Sequence, residues 1–162
     1  MGTRSMIAIE NPNTKVVKAI YCHWDGYLEH NGSILNKHYT ASPKVNNLIA
    51  FGDLSSLRPE IGSEHPFSRI DTKMTDAEWD ELYGDMCTFY KRDRGETGAD
   101  YKRFESAKEA VAHYDGSWCE YFYLFKYDED LETGNWYYRT RENGRWKRLE
   151  TALKKFKKDE VA

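Results

Sequence analysis

Two short apolar runs near the start, SMIAIE and VVKAIYCHW, have the length and β-branched content of strands, and Asn11-Pro12-Asn13-Thr14 joins them. Pro12 presets a turn dihedral and the Asn side chains can cap local backbone, so the segment predicts a hairpin. With Asn11 opposite Thr14, Ile9 faces Val16, Met6 faces Ala19, Arg4 faces Tyr21 and Gly2 faces His23. Period two then divides the side chains. One face carries Arg4, Tyr21, His23 and Asp25; the other carries Ile7, Ile9, Val16, Ile20, Cys22 and Trp24, with Lys18, and reads as core.

Further along, the period lengthens. A helix is expected from Asn31 with Ile34, Leu35 and His38 on one side, then a second from Ser42-Pro43 that ends at Gly52. Asp53 to Leu57 reads as a further helical turn, and residues 58–74 as a loop. Thr75-Asp76-Ala77-Glu78 is a capping box that starts a helix, and Ser106 with Glu109 forms another. Met86–Lys91 leans towards strand, and Arg92 to Gly98 is a charged loop. Trp118–Tyr127 and Trp136–Arg141 are aromatic strands, and Asn143-Gly144 predicts a tight hairpin that sets Tyr138 opposite Leu149 and Arg139 opposite Arg148. Leu149, Ala152, Leu153 and Phe156 stripe a basic amphipathic helix over about residues 149–158. Hairpins at both ends with helices between them predict an α+β fold, an antiparallel sheet with helices packed on one face.

Composition keeps this as one domain over residues 1–162. Aromatic residues make up 15%, too many buriable rings for a disordered chain, and no low-complexity linker divides the sequence. Three cysteines without paired spacing favour neither a disulfide framework nor a zinc ribbon, so a reducing cytoplasm is expected. Cys22, Cys87 and Cys119 read as core thiols. No apolar run spans a membrane, and the start lacks a signal-peptide pattern.

The chemistry concentrates in YCHWDGYLEHNGS, residues 21–33. His23 beside Asp25 on one strand face is a candidate base with its orienter, the catalytic pair if the protein is a small hydrolase. Asp25, Gly26 and Asn31 can equally hold a turn and a helix start, and that start offers N–H groups to an anion. With Glu29 and His30 the cluster lacks familiar metal-site spacing, so neither a metal nor a cofactor is expected. Arg92 and Arg94 can grip phosphate with forked donors or remain a solvated, internally paired loop. Residues 139–158 hold nine Lys or Arg against Glu142 and Glu150, yet the whole chain carries a net charge of -3, so a nucleic-acid partner is disfavoured.

MGTRSMIAIE, IYCHWDGYLEHNG, FGDLSSL and YKRDRGE together resemble a family of small, mostly uncharacterised proteins of tailed bacteriophages. The resemblance implies action in the cytoplasm of an infected bacterium and carries no assigned reaction. Leu28 stands where a wider set with DGYPE has Pro. Phage accessory proteins commonly counter host defence or redirect host metabolism, which favours binding. The expected site is a pocket for a small anionic, nucleotide-derived ligand lined by Arg4, Tyr21, His23, Asp25, Tyr27 and Asn31, with Arg92 and Arg94 nearby. An inhibitor that covers a host protein with exposed aromatics is a further alternative.

Overall fold

The computed structural model describes the backbone of residues 2–161 and the side chains of residues 2–156. Its centre is the hairpin of β1 (Ser5–Glu10) and β2 (Val17–Cys22), followed by a π-turn at Leu28–Gly32, α1 (Ser33–His38), α2 (Ser42–Ala50) and β3 (Leu54–Ser56). A 3-10 turn at Arg69–Asp71 precedes α3 (Asp76–Tyr83), β4 (Thr88–Phe89), α4 (Tyr90–Arg94), β5 (Lys102–Phe104) and α5 (Ala107–Asp115). The chain closes with β6 (Tyr121–Tyr127), β7 (Gly134–Thr140), β8 (Lys147–Arg148) and α6 (Leu149–Val161). The side chains of Lys157 and Lys158, expected on the polar side of that helix, lie outside the described residues.

The α+β class holds, but the sheet is mixed rather than antiparallel. Its order is β4-β3-β2-β1-β6-β7-β8, with β5 on the other half of β2's outer edge. The two terminal hairpins meet where β6 runs parallel to β1, Ile7 beside Tyr123, and β3 runs parallel to β2 from Leu54. The long intervening segment returns the chain to the end where β1 starts, so β6 must leave in the same direction.

Helices also cover both faces, not one. On the first face Ile7, Ile20, Cys22, Tyr123 and Phe125 pack under α1, α2 and α6 through Leu35, Leu48, Ile49 and Leu149. On the second, Met6, Ala8, Val17 and Ala19 form a floor of mostly small side chains on which α5 lays Ala110, Val111 and Tyr114. Every residue from Ser5 to Ile9 is at most 4% exposed, so β1 is apolar on both sides, as a strand enclosed between two layers must be. Fully burying each such Ile, Phe or Met contributes roughly 1.5–3 kcal/mol.

Both hairpins pair two residues away from the expected register. Ile7 opposes Ile20 and Met6 opposes Tyr21, while Tyr138 opposes Lys147. A slip of two leaves every side chain on its expected face but changes its neighbour. Trp24, expected in the core, stands 45% exposed beyond the end of β2. Asp53 to Leu57 contains strand β3 instead of a helical turn, because His23 and Trp24 donate their N–H groups to the Leu54 and Ser55 carbonyls and draw that segment onto the sheet.

Candidate functional site

Beyond Cys22 the chain leaves the sheet through a turn in which Asp25, not Gly26, takes the left-handed backbone (φ 58°). Asp tolerates this because its short polar side chain can bond locally, here as acceptor for the Tyr27 hydroxyl. Gly26 serves another purpose: a Cβ there would lie 2.8 Å from both the Ser5 Cβ and the Thr3 carbonyl oxygen. The close approach lets Gly26 N–H donate to Thr3 O at 2.8 Å and brings the leading segment against His23 and Trp24.

This exit divides the polar stretch between two clefts. Arg4 and Tyr21 line the first, a hollow of about 340 Å³ beside α5, with Asp53, Lys102, His113 and Trp118. Asp25 lines the second, about 280 Å³, with Trp24, Ser55, Arg58 and Trp79. His23 stands at the partition: its Nδ1 meets the Tyr21 hydroxyl at 2.7 Å, and its ring lies edge-on to Trp24. Asp25 does not orient His23; its carboxylate faces Tyr27 and lies 3.9 Å from His30 Nε2.

Asn31 is a buried hub. Its amide donates to Ser5 Oγ, Cys22 Sγ and the Trp24 carbonyl, and its Oδ1 meets His30 Nδ1 at 2.9 Å. An Arg58 N–H lies 3.3 Å from His30 Nε2, and because guanidinium only donates, that nitrogen accepts and the ring proton sits on Nδ1. Asn31 therefore ties β1, β2 and the π-turn together and holds no groups free.

Arg92 and Arg94 sit away from both Arg4 and Tyr21, on α4. Arg92 donates to the Asp93 carboxylate and to the carbonyls of Ile61, Gly62 and Cys87, with its plane over Phe89. The Asp93 carboxylate is fully buried and also accepts from the N–H groups of His65 and Phe89. His65, a residue in the expected loop, is itself buried, stacked on Tyr83, with Nδ1 facing Pro66 O and Nε2 facing Cys87 O. This buried clasp fastens residues 61–66 to β4 and α4. Arg94 pairs with Glu96 and lies over the Phe67 and Tyr90 rings.

The first cleft has the more distinctive electrostatics. Asp53 Oδ1 accepts the backbone N–H of Tyr21 at 2.9 Å, yet burial raises its carboxyl to about 6, against the lowering effects of that hydrogen bond and of Lys102. Burial also drives the Tyr21 hydroxyl well up, and burial followed by the nearby Arg4 charge holds His23 below its ordinary range. Arg4 and Lys102 have no ion-pair partner among the described residues. Trp118 stands 66% exposed at the mouth, on a left-handed backbone (φ 68°). Titratable groups displaced by burial beside specific charges, gathered in a cleft, mark a functional site more often than chance.

Asp53, Lys102, His113 and Trp118 were not legible as site residues. Only Gly116-Ser117 before Trp118, a turn signal, hinted that this ring leaves the strand. The three cysteines are buried and free, and burial pushes Cys22 and Cys119 up to about 12, so neither offers a thiolate at neutral pH. Among the described residues, no three His, Cys, Asp or Glu gather as metal ligands, and no helix is long and apolar enough to cross a membrane. No protein-family model, curated protein or solved structure matches this chain.

Proposed function

We propose that the cleft between β2 and α5 binds a small anionic, nucleotide-derived ligand. The observation that carries this reading is the convergence of Arg4 and Lys102, both without ion-pair partners among the described residues, on a hollow walled by Tyr21 and Trp118. Two cations can hold a phosphate, the rings can flank a planar base, and Asp53 at the base can exchange a hydrogen bond with a polar ring edge. His23 supports the wall through Tyr21. Asp25, Tyr27, Asn31, Arg92 and Arg94 lie outside this set. On the resemblance to phage proteins, the ligand belongs to an infected bacterium, and its capture would counter host defence or redirect host metabolism.

Native mass spectrometry of protein purified from bacterial cells, followed by extraction and chromatography, tests the reading. A retained phosphorylated nucleoside, lost from the Arg4→Ala, Lys102→Ala double variant, is the expected result. Empty protein with no thermal shift across a nucleotide panel contradicts it.

The contact between Tyr21 and His23 favours hydrolysis as a second reading. A lowered histidine, held by a hydroxyl at 2.7 Å, is unprotonated near neutral pH and fit to act as a base. Product formation from nucleotides that disappears in His23→Ala supports it; turnover that survives the change rejects it.

A further inference from the structure

The outer edge of β2 is shared between two strands, and they leave a gap. β5 pairs with Val17, Lys18 and Ala19, and β3 pairs at Cys22, so neither strand meets Tyr21. The Tyr21 N–H points out through that gap, where Asp53 Oδ1 accepts it at 2.9 Å. The carboxylate thus occupies the place of a strand neighbour, on the cleft floor. Its backbone is fastened on both sides: the Asp53 N–H donates to Ala99 O at 2.8 Å, and the Asp53 carbonyl accepts from the Tyr90 N–H at 3.2 Å. The acid is held in position before any ligand arrives.

Among the described residues, Asp53 is the sole carboxylate lining this cleft, and it makes no ion pair. An ionised carboxylate only accepts, at about four lone-pair sites, and Tyr21 uses one of them. Asp53 Oδ2 accepts no hydrogen bond among the described residues. It is also not sealed off, since Arg139 Nε is the one buried side-chain polar atom among the described residues that lacks a partner. The cleft therefore presents an open, acceptor-only group to whatever enters.

We infer, building on the nucleotide reading of this cleft, that Asp53 selects guanine as the base. On its Watson–Crick edge guanine carries two donors side by side, N1–H and the 2-amino group, which match the two oxygens of one carboxylate. The other bases present the wrong atoms. Adenine and cytosine set a ring-nitrogen acceptor beside their amino donor, and uracil flanks its N–H with carbonyl oxygens, so each holds a lone pair against Asp53. Arg4 and Lys102 remain for the phosphate, while Tyr21 and Trp118 flank the base. Arg141 Cζ stands 5.5 Å from the centre of the Trp118 ring, which is nonetheless largely exposed.

The test is calorimetric titration of guanosine, inosine, adenosine and xanthosine 5′-monophosphates into the parent and Asp53→Asn at pH 7.5, where the acid is ionised. The parent should bind the guanosine nucleotide at least about tenfold more tightly than the adenosine one, and more tightly than the inosine one, which lacks the 2-amino donor. In Asp53→Asn the amide oxygen keeps the Tyr21 N–H and the amide nitrogen becomes a donor. That arrangement matches xanthine, which has a carbonyl where guanine has its amino group. The variant should lose at least about tenfold towards the guanosine nucleotide and gain towards the xanthosine one. A gain for one ligand cannot come from misfolding. Nucleotide binding that does not favour guanosine, or a preference unchanged in Asp53→Asn, overturns the role of Asp53 and leaves the cleft reading in place. Absence of binding by every nucleotide overturns both.

Discussion

The backbone N–H of Tyr21 points at the Asp53 carboxylate across 2.9 Å, joining the central hairpin to the strand that follows α2. The contact explains why a polar residue before β3 can sit half-sunk at a cleft floor: one accepted hydrogen bond offsets part of the burial cost without removing it. The carboxyl therefore remains raised, to about 6.

That displacement sets a pH dependence. Between the ordinary aspartate value and about 6 the folded chain holds a proton at Asp53 that the unfolded chain releases, so stability falls as pH rises through this window. The burden is fully present above pH 6 and absent below about 4. Asp53→Asn keeps an acceptor for Tyr21 and removes the charge. Urea unfolding should show the variant more stable than the parent at pH 7.5, with the difference shrinking towards pH 4. A constant difference across that range would contradict this account.

A second prediction concerns the buried clasp. Asp93→Ala strips the counter-charge from Arg92 and orphans the backbone N–H groups of His65 and Phe89; about 3–5 kcal/mol of stability should be lost. Arg94→Ala, which breaks only an exposed pair with Glu96 and a ring contact, should cost about 1 kcal/mol or less. Chemical denaturation of the two variants side by side checks the contrast.

The turn after β2 yields a third. Gly26→Ala would drive a methyl against the Ser5 Cβ, held in β1, and the Thr3 carbonyl that accepts the Gly26 N–H, at a cost of roughly 1–3 kcal/mol. Gly95→Ala meets nothing within 4 Å, so its smaller penalty comes from the positive φ alone. Thermal melts should rank them in that order.

Much of the fold was legible because strand faces depend on parity. Ile7, Ile9, Ile20 and Cys22 share the expected core even though the hairpin is displaced by two. The displacement arises in the loops, each of which spans four residues rather than two. Asn11 closes on Val16, its side chain captures the N–H groups of Asn13 and Thr14, and Lys15 takes φ 66°. In the last hairpin neither Asn143 nor Gly144 has the positive φ that a tight turn requires; Thr140 Oγ1 and Asn143 Oδ1 instead accept the N–H groups of Asn143 and Arg145. The expected clash of Arg139 with Arg148 is therefore absent, and Tyr137 faces Arg148.

The second core layer and the cleft were harder to read. Met6, Ala8 and Ala19 are small or flexible, and the polar residues just past the strand ends, Arg4 and His23, masked them as one side of a solvent face. Asp53, Lys102 and Trp118 meet Tyr21 only through long-range pairing, which no local pattern records. His65 does lie in the expected loop, but its burial was not legible because its partner, Asp93, is distant in sequence.

The most direct measurement of the central claim is calorimetric titration of adenosine, guanosine, cytidine and uridine 5′-monophosphates into the parent chain and the Arg4→Ala, Lys102→Ala double variant. Saturable binding of at least one nucleotide, weakened tenfold or more in the variant while its unfolding temperature stays unchanged, is what the cleft predicts. Binding that the double variant retains in full would contradict it.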